Sequence, residues 1–141
     1  MQRTGDRIRG YACAFGAVDL GRDRILRGAF AASLRLRPAG SVRMLFQHDP
    51  ARPIGRWTRM VEDAHGLWVE GVLAGAASAR DVADLISARA LDGLSIGFRT
   101  VRARRIGGVR NISRVDLHEV SVVTFPMNGG ARILSQQENS A

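Results

Sequence analysis

Two long strand-like stretches near the C-terminal end constrain this chain more than any other feature. Residues 94–105 and 109–124 each run well past the usual strand length of about 5–6 residues, and only Ile106-Gly107-Gly108 separates them. Such a pair predicts a long antiparallel hairpin, and Pro126 ends its second arm. The rest of the chain falls into shorter pieces. Residues 8–15 alternate loosely and predict a first strand, and residues 19–23 a Gly/Asp turn. From 28 to 36 the positions of Phe30, Ala31 and Leu34 fit a short helix, closed by Pro38 and Gly40. Residues 42–47 form an apolar strand that delivers His48, with Asp49-Pro50 as its breaker. Residues 54–62 and 67–74 predict a hairpin around Asp63-Ala64-His65-Gly66. A second helix is expected from an N-cap at Ser78, with Asp81 three residues later, an apolar stripe of Val82, Leu85 and Ile86, and Gly93 as its stop. The sum is an α+β fold: a mainly antiparallel sheet of six or seven strands with flanking helices. Curling into a β-barrel would remove its exposed edges.

At 141 residues, 45% of them hydrophobic, the chain is sized for one domain with a real core. That domain is expected over residues 1–134, with a disordered tail over 135–141, where no large apolar side chain offers an anchor. The first six residues are expected to fray in the same way. Basic charge comes from 21 arginines and no lysine, for a net charge of +8. The tightest group is Arg99, Arg102, Arg104, Arg105, Arg110 and Arg114. Charge of this sign favours anionic partners, although scattered arginines commonly form a solvated surface. The single Cys13 excludes an internal disulfide and sits in an apolar run as a small buried hydrophobe. One cysteine and three dispersed histidines give no metal-ligand spacing, so neither metal nor cofactor is expected. No apolar segment suits a signal peptide or a membrane span, which predicts a cytoplasmic protein without a membrane partner.

Candidate chemistry lies in three separated places. In Leu94-Ser95-Ile96-Gly97-Phe98 the apolar trio shares one strand face, and Ser95 shares the other with Gly97, whose missing side chain leaves room for a substrate backbone. Serine needs an adjacent base before it is a useful nucleophile. His48, at a strand end, could supply it; the competing reading is a turn histidine. His65 falls at a hairpin tip, and His118 alternates with Glu119 and is expected on the opposite face. Glu119 interrupts an apolar strand, where a carboxylate needs a partner: an imidazole, or one of the many arginines.

Register tests whether Ser95 and Glu119 meet. A two-residue loop at Gly107-Gly108 would pair Ile96 with Glu119 and put the acid on the wrong face. The catalytic reading therefore requires an odd-length loop, such as Ile106-Gly107-Gly108, or one bulge.

The chain resembles the prohead proteases of the HK97 type, found in tailed phages and phage-derived gene transfer agents, over roughly residues 8–134. The resemblance is carried by Gly10-Tyr11-Ala12, by residues 23–30, by Phe46-Gln47-His48-Asp49 followed by Pro53-Ile54-Gly55, and by residues 63–67. It continues through 94–98 and from 117–121 to Pro126 and Asn128. Arg27 departs from the proline expected before Gly28-Ala29-Phe30. The resemblance implies a barrel like that of the herpesvirus assemblin proteases, with Ser95 as nucleophile, His48 as general base and Glu119 as the orienting acid. It also implies a substrate, the scaffolding segment of the major capsid protein and the protease itself, cleaved inside the assembling prohead, and a homodimer. The Asn128-Gly129-Gly130 loop is the candidate oxyanion hole. Two other readings stay open: a basic β-barrel that binds nucleic acid, disfavoured by a 6% aromatic content too low for a stacking ladder, and a catalytically inert capsid or scaffold component.

Overall fold

The computed structural model describes residues 4–138. It contains eight strands among those residues: β1 (Thr4–Ala14), β2 (Asp23–Ile25), β3 (Arg43–Phe46), β4 (Asp49–Glu62), β5 (Gly66–Ala74), β6 (Gly93–Ile106), β7 (Val109–Val123) and β8 (Arg132–Gln137). Two α-helices interrupt them, α1 (Ala31–Leu36) and α2 (Ala77–Ser87), with a 3-10 turn at Ala39–Ser41. The sheet order β7-β3-β4-β5-β1-β8-β6 closes on itself through the pairing of β6 with β7, and β2 lies outside this ring against β7. Seven strands therefore make a closed barrel. Most neighbours are antiparallel, but β3 and β2 both run parallel to β7, so the barrel is mixed. Closure leaves few free edges, the problem that the sequence pattern demanded be solved.

Alternation along the strands fills the barrel. Ile8, Met44, Ile54, Trp57, Leu67, Val69, Leu94, Ile112, Leu117 and Val120 are all buried, and Phe30 packs into them from the turn before α1. Trp57 is fully buried, and its indole N–H donates to the Val120 carbonyl at 3.1 Å, which satisfies its one polar atom across the core. At the β4–β5 turn, Tyr11 donates to the Asp63 carboxylate at 2.6 Å. That hydrogen bond, with the amides of His65 and Gly66, holds the Asp63 carboxyl below its usual range.

Several boundaries differ from the sequence expectation. Helix α2 begins at Ala77 without a side-chain cap, so Ser78 lies inside it. It ends before Arg89, whose positive φ of 60° turns the chain, and Gly93 instead starts β6. Asp49-Pro50 does not break the structure, because β4 starts there; both of its prolines lie beside ladder irregularities at Leu45, where a missing N–H is tolerated. Residues 135–137, expected to fray, belong to β8. The anchor is polar: the Gln136 side chain donates to Asp6 at 3.0 Å and to the Ala83 carbonyl at 2.9 Å. At the other end β1 is already formed at Thr4. The rest of both predicted frayed ends, 1–3 and 139–141, lies outside the described residues. Among the described residues, no helix is long and apolar enough to cross a membrane.

A candidate Ser-His-Glu active site

The β6–β7 hairpin closes with two residues, Gly107 (φ +57°) and Gly108 (φ +78°), the doubly left-handed turn that matches strand twist. Taken alone, that loop would place Ile96 opposite Glu119. The ladder corrects itself further along. Phe98 faces Leu117, but the next pair is Gly97 with Glu119, so His118 is an extra residue in β7. The shifts on either side of the Arg102–Arg114 pair cancel, so the bulge at His118 turns Glu119 onto the face of Ser95, and Ser95 now stands directly opposite Ser121. It also defeats the alternation expected at His118, whose imidazole shares the outer face and contacts Asp116 at 3.1 Å.

His48 arrives by a tight hairpin. Phe46 pairs with Asp49, so Gln47 and His48 are the whole turn. Both have positive φ, 54° and 60°, a conformation uncommon for residues with side chains. Strain of this kind persists only when the surroundings fix it. Here Gln47 donates its N–H to the Val122 carbonyl at 2.9 Å, and its carboxamide exchanges bonds with Thr124 at 2.6 and 3.2 Å. The His48 N–H donates to Ser121 Oγ at 3.1 Å. The turn is thereby tied to the end of β7, the strand that carries Glu119.

The side chains complete the arrangement. His48 Nδ1 contacts Glu119 Oε1, and Ser121 Oγ donates to Glu119 Oε2 at 2.6 Å. With Nδ1 engaged, Nε2 is the ring nitrogen left to exchange a proton with another group. Glu119 takes an imidazole rather than an arginine as its partner, which resolves the alternative left open by its sequence context. Ser95 is 5% exposed, and its hydroxyl makes no hydrogen bond to another described residue. Directly opposed side chains of a strand pair have Cβ atoms about 4.5–5.5 Å apart, so Ser95 lies beside Ser121, the residue that contacts both Glu119 and His48; no hydrogen bond joins Ser95 to His48 in this structure. Sequence reasoning missed Gln47, Ser121 and Thr124, for which only their nearness to His48 and Glu119 was a signal.

Gly97 has a different role from the one expected. A Cβ built there would come within 2.3 Å of Glu119 Oε1 and 2.7 Å of its carboxyl carbon. The absent side chain makes room for the carboxylate itself. Gly97→Ala is expected to push Glu119 off His48 and to break the contact between them. The ring NMR signals of His48, compared between variant and parent, check this.

The Asn128-Gly129-Gly130 loop lies beside Ser95, since Asn128 and Ser95 border one cavity of about 120 Å³ together with Cys13, Ile25 and Met127. Two of its groups are already committed. The Asn128 side chain bridges to Ala14, donating to its carbonyl at 3.0 Å and accepting its N–H at 3.3 Å, and it accepts the Gly130 N–H at 3.0 Å. Gly129 has open space where a Cβ would stand. Cys13 is buried, and burial, reinforced by Asp19 and Glu62, pushes its thiol up to about 12, far from nucleophilic use at neutral pH.

The closed seven-stranded mixed barrel is the fold of the herpesvirus assemblin proteases and of a phage capsid assembly protease. Over 96% of this chain and 66% of the other, it is similar to the Kaposi's sarcoma herpesvirus protease solved with a hexapeptide phosphonate inhibitor, with a TM-score of 0.69 at 14% identity. The bacteriophage T4 capsid assembly protease gives 0.69 at 12% identity, over 85% of this chain and 82% of that one. In sequence, the chain is 34% identical over 139 residues to the prohead protease of Enterobacteria phage HK97. That match covers 92% of this chain and 60% of the longer HK97 protein. The family model of the caudovirus prohead serine proteases matches residues 1–141, and the chain belongs to that family.

Proposed function

We propose that this chain is the catalytic barrel of a serine endopeptidase that trims capsid precursors during prohead maturation, with Ser95 as nucleophile, His48 as general base and Glu119 as the acid that orients it. The observation that carries this reading is the bulge at His118, which brings Glu119 onto the face of Ser95 and against Nδ1 of His48. Ser95 Oγ attacks the scissile carbonyl carbon while His48 Nε2 takes its proton. Collapse of the tetrahedral adduct breaks the C–N bond, and the imidazolium gives that proton to the leaving amine. Water, deprotonated by the same nitrogen, then releases the acyl group and restores Ser95. Glu119 holds the proton on Nδ1 and stabilises the imidazolium, and Ser121 fixes the second carboxylate oxygen. The Gly129 amide is the best placed donor of its loop for the oxyanion, since the Gly130 amide already serves Asn128.

Substrate access is supported by the ladder of β6. Among the described residues it pairs with β8 only at Gly93 with Arg132, so from Ser95 onward its outer edge carries no further paired strand. An extended polypeptide can add there and lay its carbonyls past the Ser95 hydroxyl. The substrate is the scaffolding segment of the major capsid protein, with self-cleavage and a homodimer as further parts of the same proposal.

A serine-directed aryl phosphonate tests the chemistry without knowledge of the cleavage sequence. The folded chain is expected to gain one phosphonyl adduct on Ser95, located by peptide mass spectrometry, and His48→Ala is expected to abolish the gain. An unlabelled Ser95 in folded protein would overturn the assignment.

A further inference from the structure

The outer half of the β6–β7 hairpin is charged in a way the fold itself does not balance. Residues 99–115 hold six arginines and no aspartate or glutamate. Arg102 stands directly opposite Arg114, and Arg105 opposite Arg110. Like charges facing each other across a strand pair are destabilising. Among the described residues, Arg110 is held by Asp23 at 2.9 Å and Arg99 approaches Asp116 at 4.0 Å. No ion pair to a described residue relieves Arg102, Arg104, Arg105 or Arg114.

Part of this surface is shaped. A groove of about 450 Å³ lies between the end of α1 and the hairpin, lined by Leu36, Arg37, Arg99, Val101, Arg114 and Asp116. Leu36 and Val101 leave apolar surface open, at 78% and 43% exposure. Arg37 chelates Asp116 at 3.0 and 3.1 Å. The hydrogen bond from His118, together with Arg37, holds the Asp116 carboxyl below its usual range, so it stays charged and the groove keeps the surplus of two of its three arginines. Strand alternation puts Ser95, Gly97 and Arg99 on one face. Arg99 is then about 13 Å from Ser95 along β6, at about 3.3 Å per residue.

We propose that this groove is a docking site for an acidic, extended segment of the polypeptide substrate, lying about four to six residues from the bond that Ser95 cleaves. The inference rests on the peptidase reading and supplies its substrate class. A peptide fits better than nucleic acid for two reasons. No aromatic side chain occurs between 99 and 116 to stack a base. The groove also alternates apolar and cationic walls, which suits mixed acidic and aliphatic side chains rather than a uniform phosphate backbone.

The test uses the folded Ser95→Ala chain, so binding is read without turnover. A fluorescent peptide of alternating Glu and Ala is titrated by anisotropy beside its Gln-Ala counterpart and a single-stranded oligothymidine. The Glu-Ala peptide is expected to bind and to lose on the order of tenfold in affinity in R99A/R114A, with R99K/R114K retaining most of it. Raising the salt is expected to remove the preference over Gln-Ala, because exposed charges are screened within about 8–10 Å. Equal binding of the two peptides, or no effect of R99A/R114A in a protein whose circular dichroism is unchanged, overturns the site. Tighter, arginine-dependent binding of the oligothymidine overturns it in favour of a nucleic-acid surface. Each failure leaves phosphonate labelling of Ser95 intact, so it is separable from failure of the peptidase reading.

Discussion

Co-expressed with the capsid precursor proposed as its substrate, the Ser95→Ala chain is expected to leave that precursor at full mass, and the parent chain to shorten it. The expected loss in rate is about 10⁶-fold, as seen when a serine nucleophile is removed from a triad that acts as a unit. The fold will survive, for a reason visible in the structure. Ser95 is buried beside Leu94, yet its hydroxyl makes no hydrogen bond to another described residue. Removing it orphans no donor or acceptor, and such a change costs less than about 1 kcal/mol. Among the described residues no buried side-chain oxygen lacks a partner, so the unpartnered Ser95 hydroxyl reaches solvent, where a substrate can meet it. The measurement is intact mass of precursor and products, with thermal melting of both chains as the control. Normal processing by the variant would remove Ser95 from the chemistry, and a melting point lowered by more than a few degrees would void the comparison.

How much of this could be read from residues alone depended on how local the determinant was. The long hairpin, the second hairpin at residues 63–66 and the apolar faces followed from alternation and glycine, which act over a few residues. The candidate trio was legible as three polar groups set in apolar strands. Their convergence was legible only conditionally: counting residues showed that a two-residue loop would fail unless a bulge intervened. The bulge at His118 answers that condition, but nothing in Leu117-His118-Glu119 announces it, because a bulge is a property of two paired strands. The turn at Gln47-His48 was hidden for a related reason. Left-handed turns are signalled by Gly or Asn, and here the conformation is imposed by bonds to Ser121, Val122 and Thr124, more than 70 residues away. The parallel placement of β3 against β7 and the capture of 135–137 into β8 are likewise non-local. Gly97 was noticed, but its purpose needed the position of the Glu119 carboxylate.

Glu119→Gln is the second large effect, and it separates an orienting acid from a merely structural one. The substitution preserves shape, so the carboxamide will occupy the same space beside Gly97. Its two ends are no longer equivalent. In one orientation the NH₂ faces His48 Nδ1, which must then accept, and the ring proton moves to Nε2. That nitrogen can no longer take a proton from Ser95, and a wrong tautomer of this kind costs about 10⁴-fold in kcat. In the other orientation the carbonyl oxygen keeps Nδ1 protonated, and the NH₂ donates to Ser121 Oγ, which already accepts the His48 N–H and has a second lone pair free. The tautomer survives, but the negative charge that stabilised the imidazolium is gone. Ser121 therefore decides the size of the loss. With Ser121 intact the second orientation is available, and a kcat reduced by about 10²–10⁴-fold is expected. In the double variant Glu119→Gln with Ser121→Ala, that anchor is lost and the rate should fall to the lower limit of the range. Single-turnover cleavage of a peptide substrate measures both. A Glu119→Gln chain within tenfold of the parent rate would mean that His48 is oriented by its backbone turn alone, and that the carboxylate serves the fold rather than the reaction.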